Sequence, residues 1–97
     1  MSEHRYCLRG EFDLAVASEV RADLMAAIAQ NDAHLLVDCR GLTFIDSTGI
    51  AVLLEVNREL EGAGRHMLLV NVQPEPRRAF EILGLTDLLR YERESFV

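Results

Sequence analysis

Apolar residues follow two rhythms along this 97-residue chain. In "HRYCLRG", residues 4–10, they alternate: Tyr6 and Leu8 fall on one side and Cys7 on the other, the period of a strand. "EFD" then leads into a turn. Across "LAVASEVRADLMAAIAQN" the period lengthens, and Ala17, Val20, Leu24, Ala27 and Ile28 fall at helical spacing. Asp13 is the expected cap of this helix and Asn31 its stop. "HLLVDC" is an apolar run of buried-strand length, and "RGLTF" is expected to carry the chain out of it. "GIAVLLEVNRELEGAG" has a helical period and ends in a glycine pair. "HMLLVNV" predicts another buried strand. "QPEPRRAFEILG" places prolines where a helix starts and Gly84 where it stops, and "LTDLLRYE" suggests a closing strand. Strands alternating with helices predict an α/β fold: one small domain, a mostly parallel sheet of βα units with flanking helices. Such sheets place ligands and contacts beyond the carboxyl ends of their strands.

Length and composition narrow the chemistry. The chain suffices for one core and not for two. A net charge of −6 argues against nucleic acid and against an anionic membrane surface, since both bind clustered Lys and Arg. No apolar run approaches the roughly 20 residues that span a bilayer. "MSEHRYC" has no apolar stretch like that of a signal peptide, so a cytoplasmic protein is expected. Cys7 and Cys39 sit in strand-like runs and are expected to be buried free thiols. His4, His34 and His66 have no ligand spacing, and no metal site is expected.

The unusual stretch is "FIDSTGI", residues 44–50, where Asp46, Ser47 and Thr48 stand between two apolar runs. Asp46 or Ser47 alone would serve to cap the following helix, yet three polar side chains are present. A serine-hydrolase elbow needs G-x-S-x-G; Gly49 fits the second glycine, but Ile45 occupies the place of the first. Neither GxxxxGK[ST] nor GxGxxG occurs, and all ten basic residues are arginine. A chain without lysine has no Walker lysine, no Schiff base and no receiver-domain lysine. On the helix after the motif, Gly49, Val52, Leu53, Val56, Leu60 and Ala63 gather on one face, the expected core face. Ile50, Ala51 and Leu54 project from the opposite side, with Ser47. They form either an exposed partner surface or a surface covered by another layer of the same protein.

"LLVDCRGLTFIDSTGIAVLL", residues 35–54, resembles the signature region of the STAS domain, found in sulphate transporters and anti-sigma factor antagonists. "RGEFD", residues 9–13, resembles that family's G-E-[LF]-D element, and "AFEILGLTDLLRYE", residues 79–92, its closing helix and strand. Within the family, a small acidic domain carrying D-S-[ST]-G most resembles the bacterial anti-sigma factor antagonists.

The resemblance implies a binding switch and not an enzyme, with no cofactor of its own. A partner that is both anti-sigma factor and serine kinase would phosphorylate Ser47, and a phosphatase would reverse the step. The unphosphorylated form would bind that partner and release a sigma factor. Asp46 would position the serine and engage the kinase. Thr48 would cap or make contact, Gly49, Ile50, Ala51 and Leu54 would complete the partner surface, and Glu11 and Asp13 would lie beside it. The alternative is an unphosphorylated STAS subunit or scaffold of a transporter or stress-signalling complex. Family members commonly carry one more strand before "YCLRG" and one more helix at the end. Residues 1–97 are therefore expected to form a single domain shortened at both ends, with weak self-association through the first strand.

Overall fold

Strands and helices alternate along the whole described chain: β1 (Glu3–Phe12), α1 (Ala17–Ala29), β2 (His34–Ile45), α2 (Ser47–Gly62), β3 (Met67–Val70), α3 (Pro74–Ile82) and β4 (Arg90–Tyr91). The computed structural model describes residues 3–83 and 90–91. Gly84 and most of "LTDLLRYE" lie outside them, while β4 falls within that stretch. The sheet order is β1-β2-β3-β4, and every pairing is parallel. Parallel neighbours require crossover connections, which the three helices supply. The expected α/β architecture of βα units is the one formed.

β1 and β2 run further than their sequences suggest. "EF" belongs to β1, and "RGLTFI" does not leave β2 but continues it to Ile45. The two strands stay paired to their ends, with Arg9 opposite Gly41, Glu11 opposite Phe44 and Phe12 opposite Ile45. Two slips of register, between Cys7 and Arg9 and between Gly10 and Glu11, absorb the extra residues of β2. Gly10 takes φ +73, a conformation that a side chain disfavours, and the Thr43 hydroxyl donates to its carbonyl at 3.3 Å. β3 is short. It ends at Val70, and Asn71 follows with φ +59. Beyond it α3 flanks β2: Gln73 Nε2 donates to the Arg40 carbonyl, and Pro76 and Ala79 face Phe44 and Ile45.

The core gathers Leu35, Val37, Cys39, Leu42, Met67 and Leu69 from the sheet with Leu24, Ile28, Leu53, Val56 and Leu60 from the helices, all buried. Each large side chain so buried contributes about 1.5–3 kcal/mol. α1 buries Ala17, Leu24 and Ile28 and half-buries Val20 and Ala27, as its spacing predicts. Asn31 does stop it: its amide donates to the Ala27 carbonyl at 3.0 Å, and its oxygen accepts from the Ala33 N–H at 2.9 Å. Arg65 adds its guanidinium to the carbonyls of Ile28, Asn31 and Ala33, at the end of a helix whose last turn has no basic residue. Two further expectations fail. Asp13 does not cap α1; its carboxylate accepts from the Ala15 N–H at 3.0 Å in the preceding turn, and the N-cap is Val16. Cys7 is exposed, because the alternation that turns Tyr6 and Leu8 toward the core turns Cys7 away from it. Cys39 is buried, and burial, helped by the nearby Asp38 carboxylate, pushes its thiol up to about 12.

Candidate functional site

Asp46 leaves β2 in extended backbone, with φ −107 and ψ −175, and becomes the N-cap of α2. Its carboxylate oxygen accepts from the Gly49 N–H at 3.1 Å, and its carbonyl accepts from the Ile50 N–H at 3.0 Å. Its own N–H donates to the Phe12 carbonyl at 3.2 Å, which ties the start of α2 to the end of β1. One side chain therefore does the capping. Ser47 and Thr48 occupy the first two helical positions, where backbone N–H groups have no partner inside the helix. Ser47 is exposed and Thr48 half-buried, and neither hydroxyl makes a hydrogen bond among the described residues.

Gly49 shows why the helix starts so close to the sheet. A Cβ at this position would stand 2.6 Å from the Phe12 carbonyl oxygen and 2.9 Å from both Phe12 Cγ and Ile45 Cγ1. Only a residue without a side chain lets α2 pass over the ends of both strands, and that passage lifts Ser47 to the rim. The pairings of Glu11 with Phe44 and of Phe12 with Ile45 bring the end of β1 to the same rim. Glu11 is exposed there and Asp13 half-buried, so three carboxylates with Asp46 gather at the Ser47 end of the sheet. None of the three forms an ion pair among the described residues. Two exposed apolar side chains that sequence reasoning missed stand at this end too: Leu14 in the turn after β1 and Phe44, the first residue of "FIDSTGI", near the end of β2.

For Ile50 and Leu54 on α2, the alternative that the structure supports is cover by the same protein. Ile50 is 5% exposed and belongs to the core, and Leu54 is half-buried and packed against that core. Ala51 alone of the three is exposed. Gly49, Val52, Leu53, Val56 and Leu60 are buried as expected, but Ala63 is the C-cap and exposed. A one-sided helical wheel assumes one neighbour, whereas α2 lies against both the sheet and α1. Arg21 of α1 grips Glu55 of α2 with two hydrogen bonds, at 2.9 and 2.5 Å. Leu54→Glu is accordingly expected to destabilise the fold by about 1–3 kcal/mol, since it carries a charge toward apolar surroundings. Urea denaturation checks this; a midpoint equal to wild type would return Leu54 to the free surface.

A family model described as the STAS domain matches residues 5–95 of the chain. An anti-sigma F factor antagonist of Lysinibacillus sphaericus is 35% identical over 79 residues, which span 80% of this chain and 68% of that one. The anti-sigma factor antagonist SpoIIAA in its unphosphorylated form superimposes with a TM-score of 0.80 at 29% identity, covering 96% of this chain and 82% of that one. A sulfate transporter family protein of Wolinella succinogenes superimposes with a TM-score of 0.78 at 25% identity, covering 92% of this chain and 75% of that one.

Proposed function

We propose, from the premise that the chain belongs to the STAS domain family and stands with its anti-sigma factor antagonists, that it is a phosphorylation-switched binding protein. In this reading the unphosphorylated form binds a cytoplasmic anti-sigma factor that is also a serine kinase, and so frees a sigma factor. The kinase supplies ATP and Mg²⁺, transfers phosphate to Ser47, and a phosphatase restores the hydroxyl. The protein acts by contact and carries out no chemistry itself.

One observation carries the reading: at the rim, Ser47 is exposed and its hydroxyl has no hydrogen-bond partner among the described residues, while Asp46 beside it does the capping. An acceptor hydroxyl must be reachable and cheap to desolvate. Phosphorylation adds about −1.5 to −2 charges at neutral pH. Free N–H groups of the first helical turn favour such an anion, so the fold tolerates it. The same charge joins Asp46, Glu11 and Asp13 at the rim. A partner that fits the unphosphorylated surface must then bury a dianion beside like charges. The contact surface in this reading comprises Asp46, Thr48, Ala51, Glu11 and Asp13, with Leu54 at its margin. Gly49 and Ile50 support it from beneath.

Incubation with ATP and serine kinases from the protein's own organism, followed by mass spectrometry, tests the acceptor. Phosphate is expected on Ser47 and absent from Ser47→Ala. Phosphate on Thr48 with Ser47 unmodified would overturn the assignment. The likeness to a sulfate transporter family protein favours a second reading, a static subunit or scaffold in a transporter or stress-signalling complex. That reading expects Ser47→Ala and Ser47→Glu to bind the partner as wild type does.

A further inference from the structure

The first slip of register between β1 and β2 has a chemical result away from the Ser47 rim. Cys7 pairs with Asp38 and Arg9 with Gly41, so two residues of β2 oppose Leu8 alone. A bulge of this kind re-aims side chains. Here it brings Arg9 and Arg40 to the walls of one cleft of about 260 Å³, lined also by Cys7, Leu8, Asp38 and Gly41. Gly41 makes room for the Arg9 stem, whose Cγ lies 3.1 Å from where a Cβ would stand.

The charges in this cleft are not balanced. Asp38 is engaged on all sides: it accepts from Arg5 Nη1 at 2.6 Å, from the Arg40 N–H at 3.0 Å and from Asn71 Nδ2 at 3.1 Å. Burial pushes its carboxyl up, but the Arg40 and Asn71 amides and the charges of the Arg5 and Arg40 guanidiniums outweigh it and hold the group below the ordinary carboxylate range. Asp38 therefore stays charged and is matched by Arg5. Arg9 and Arg40 make no ion pair and no side-chain hydrogen bond among the described residues. On a chain of net charge −6, two guanidiniums without an ion pair among the described residues share one concave site with a single carboxylate, Asp38, whose charge also acts on Arg40 at longer range.

We propose that this cleft binds a small oxyanion, a phosphate or carboxylate group on a molecule of few atoms, through Arg9 and Arg40. Guanidinium forks suit such groups because they donate two parallel hydrogen bonds. The volume falls below the roughly 300–1,000 Å³ of sites for drug-sized ligands, which limits the occupant to a small one. Binding here is independent of whether Ser47 is phosphorylated.

Cys7 supplies the readout, because its exposed thiol lines the cleft while the Cys39 thiol is buried and serves as an internal control. The rate of Cys7 alkylation by neutral iodoacetamide is followed by mass spectrometry in inorganic phosphate, in malonate, and in chloride at matched ionic strength. Phosphate or malonate is expected to protect Cys7 in a saturable manner, and the arm that saturates lower identifies the preferred group. Arg40→Gln, and Arg9→Gln separately, should raise the half-saturating concentration about tenfold or more, the loss of one charge-assisted contact. Amide chemical shifts of Cys7, Arg9 and Gly41 in the wild-type protein should move along the same saturation curve. Protection no better than chloride gives, or protection unchanged in both variants, would overturn the proposal.

Discussion

Gly49→Ala is expected to lower the melting temperature by on the order of 15 °C, from a loss of about 3 kcal/mol in a domain of this size. Helix propensity alone would act the other way and stabilise by about 1 kcal/mol, because alanine is the better helix former. The sign of the change therefore decides which effect wins. The added Cβ would meet the Phe12 carbonyl oxygen at 2.6 Å, and that atom accepts the Asp46 N–H. It is backbone at the end of a paired strand and cannot swing aside as a side-chain tip would. The helix start must lift, and with it the cap and Ser47. Thermal unfolding followed by circular dichroism measures the change; a variant that melts at or above the wild-type temperature would show that α2 and β1 separate at little cost.

Phosphorylated Ser47 should weaken binding to the proposed kinase partner by at least ~100-fold, since like charges brought together at an interface cost several kcal/mol. Ser47→Glu, with less charge and a different shape, should reproduce part of that loss. The melting temperature should hardly move, because the phosphate lies at a helix N-terminus and not in the core. Calorimetric titration of both forms, with a melting curve for each, separates the two effects. Equal affinity would end the switch reading, and weakened affinity with a collapsed melting curve would mean that the phosphate acts by unfolding.

The elements legible in the sequence are those whose signal is local. The helical periods of α1 and α2 depend on neighbours three and four positions apart, and the cap at Asp46 depends on Gly49 alone. The unreadable features depend on distant strands or second neighbours. "RGLTF" looks like an exit because glycine and threonine interrupt the apolar run, and only pairing with β1 keeps it a strand. Ile50 looks exposed on a wheel drawn for one buried face, and the proximity of α1 changes that. Ser47 at a helix start was readable, but not the closeness of Gly49 to Phe12. Arg9 and Arg40 have no relation in the sequence, since a register slip is what brings them together.

β1 is the edge of the described sheet, and its ten residues would by length make a template for another chain. The two slips cut it into facets. Only Glu3–Cys7 runs unbroken for five residues, and a left-handed glycine follows it at Gly10. Bulges add twist, so a strand laid along the first facet would diverge from the second after a few ladder bonds. Arg5 and Arg9 stand symmetrically about Cys7, as do Glu3 and Glu11, so a two-fold antiparallel pairing centred there would face like charges with like. The irregularity that shapes the arginine cleft thus also makes this edge of the described sheet a poor template for another strand, and so a poor nucleus for fibre growth.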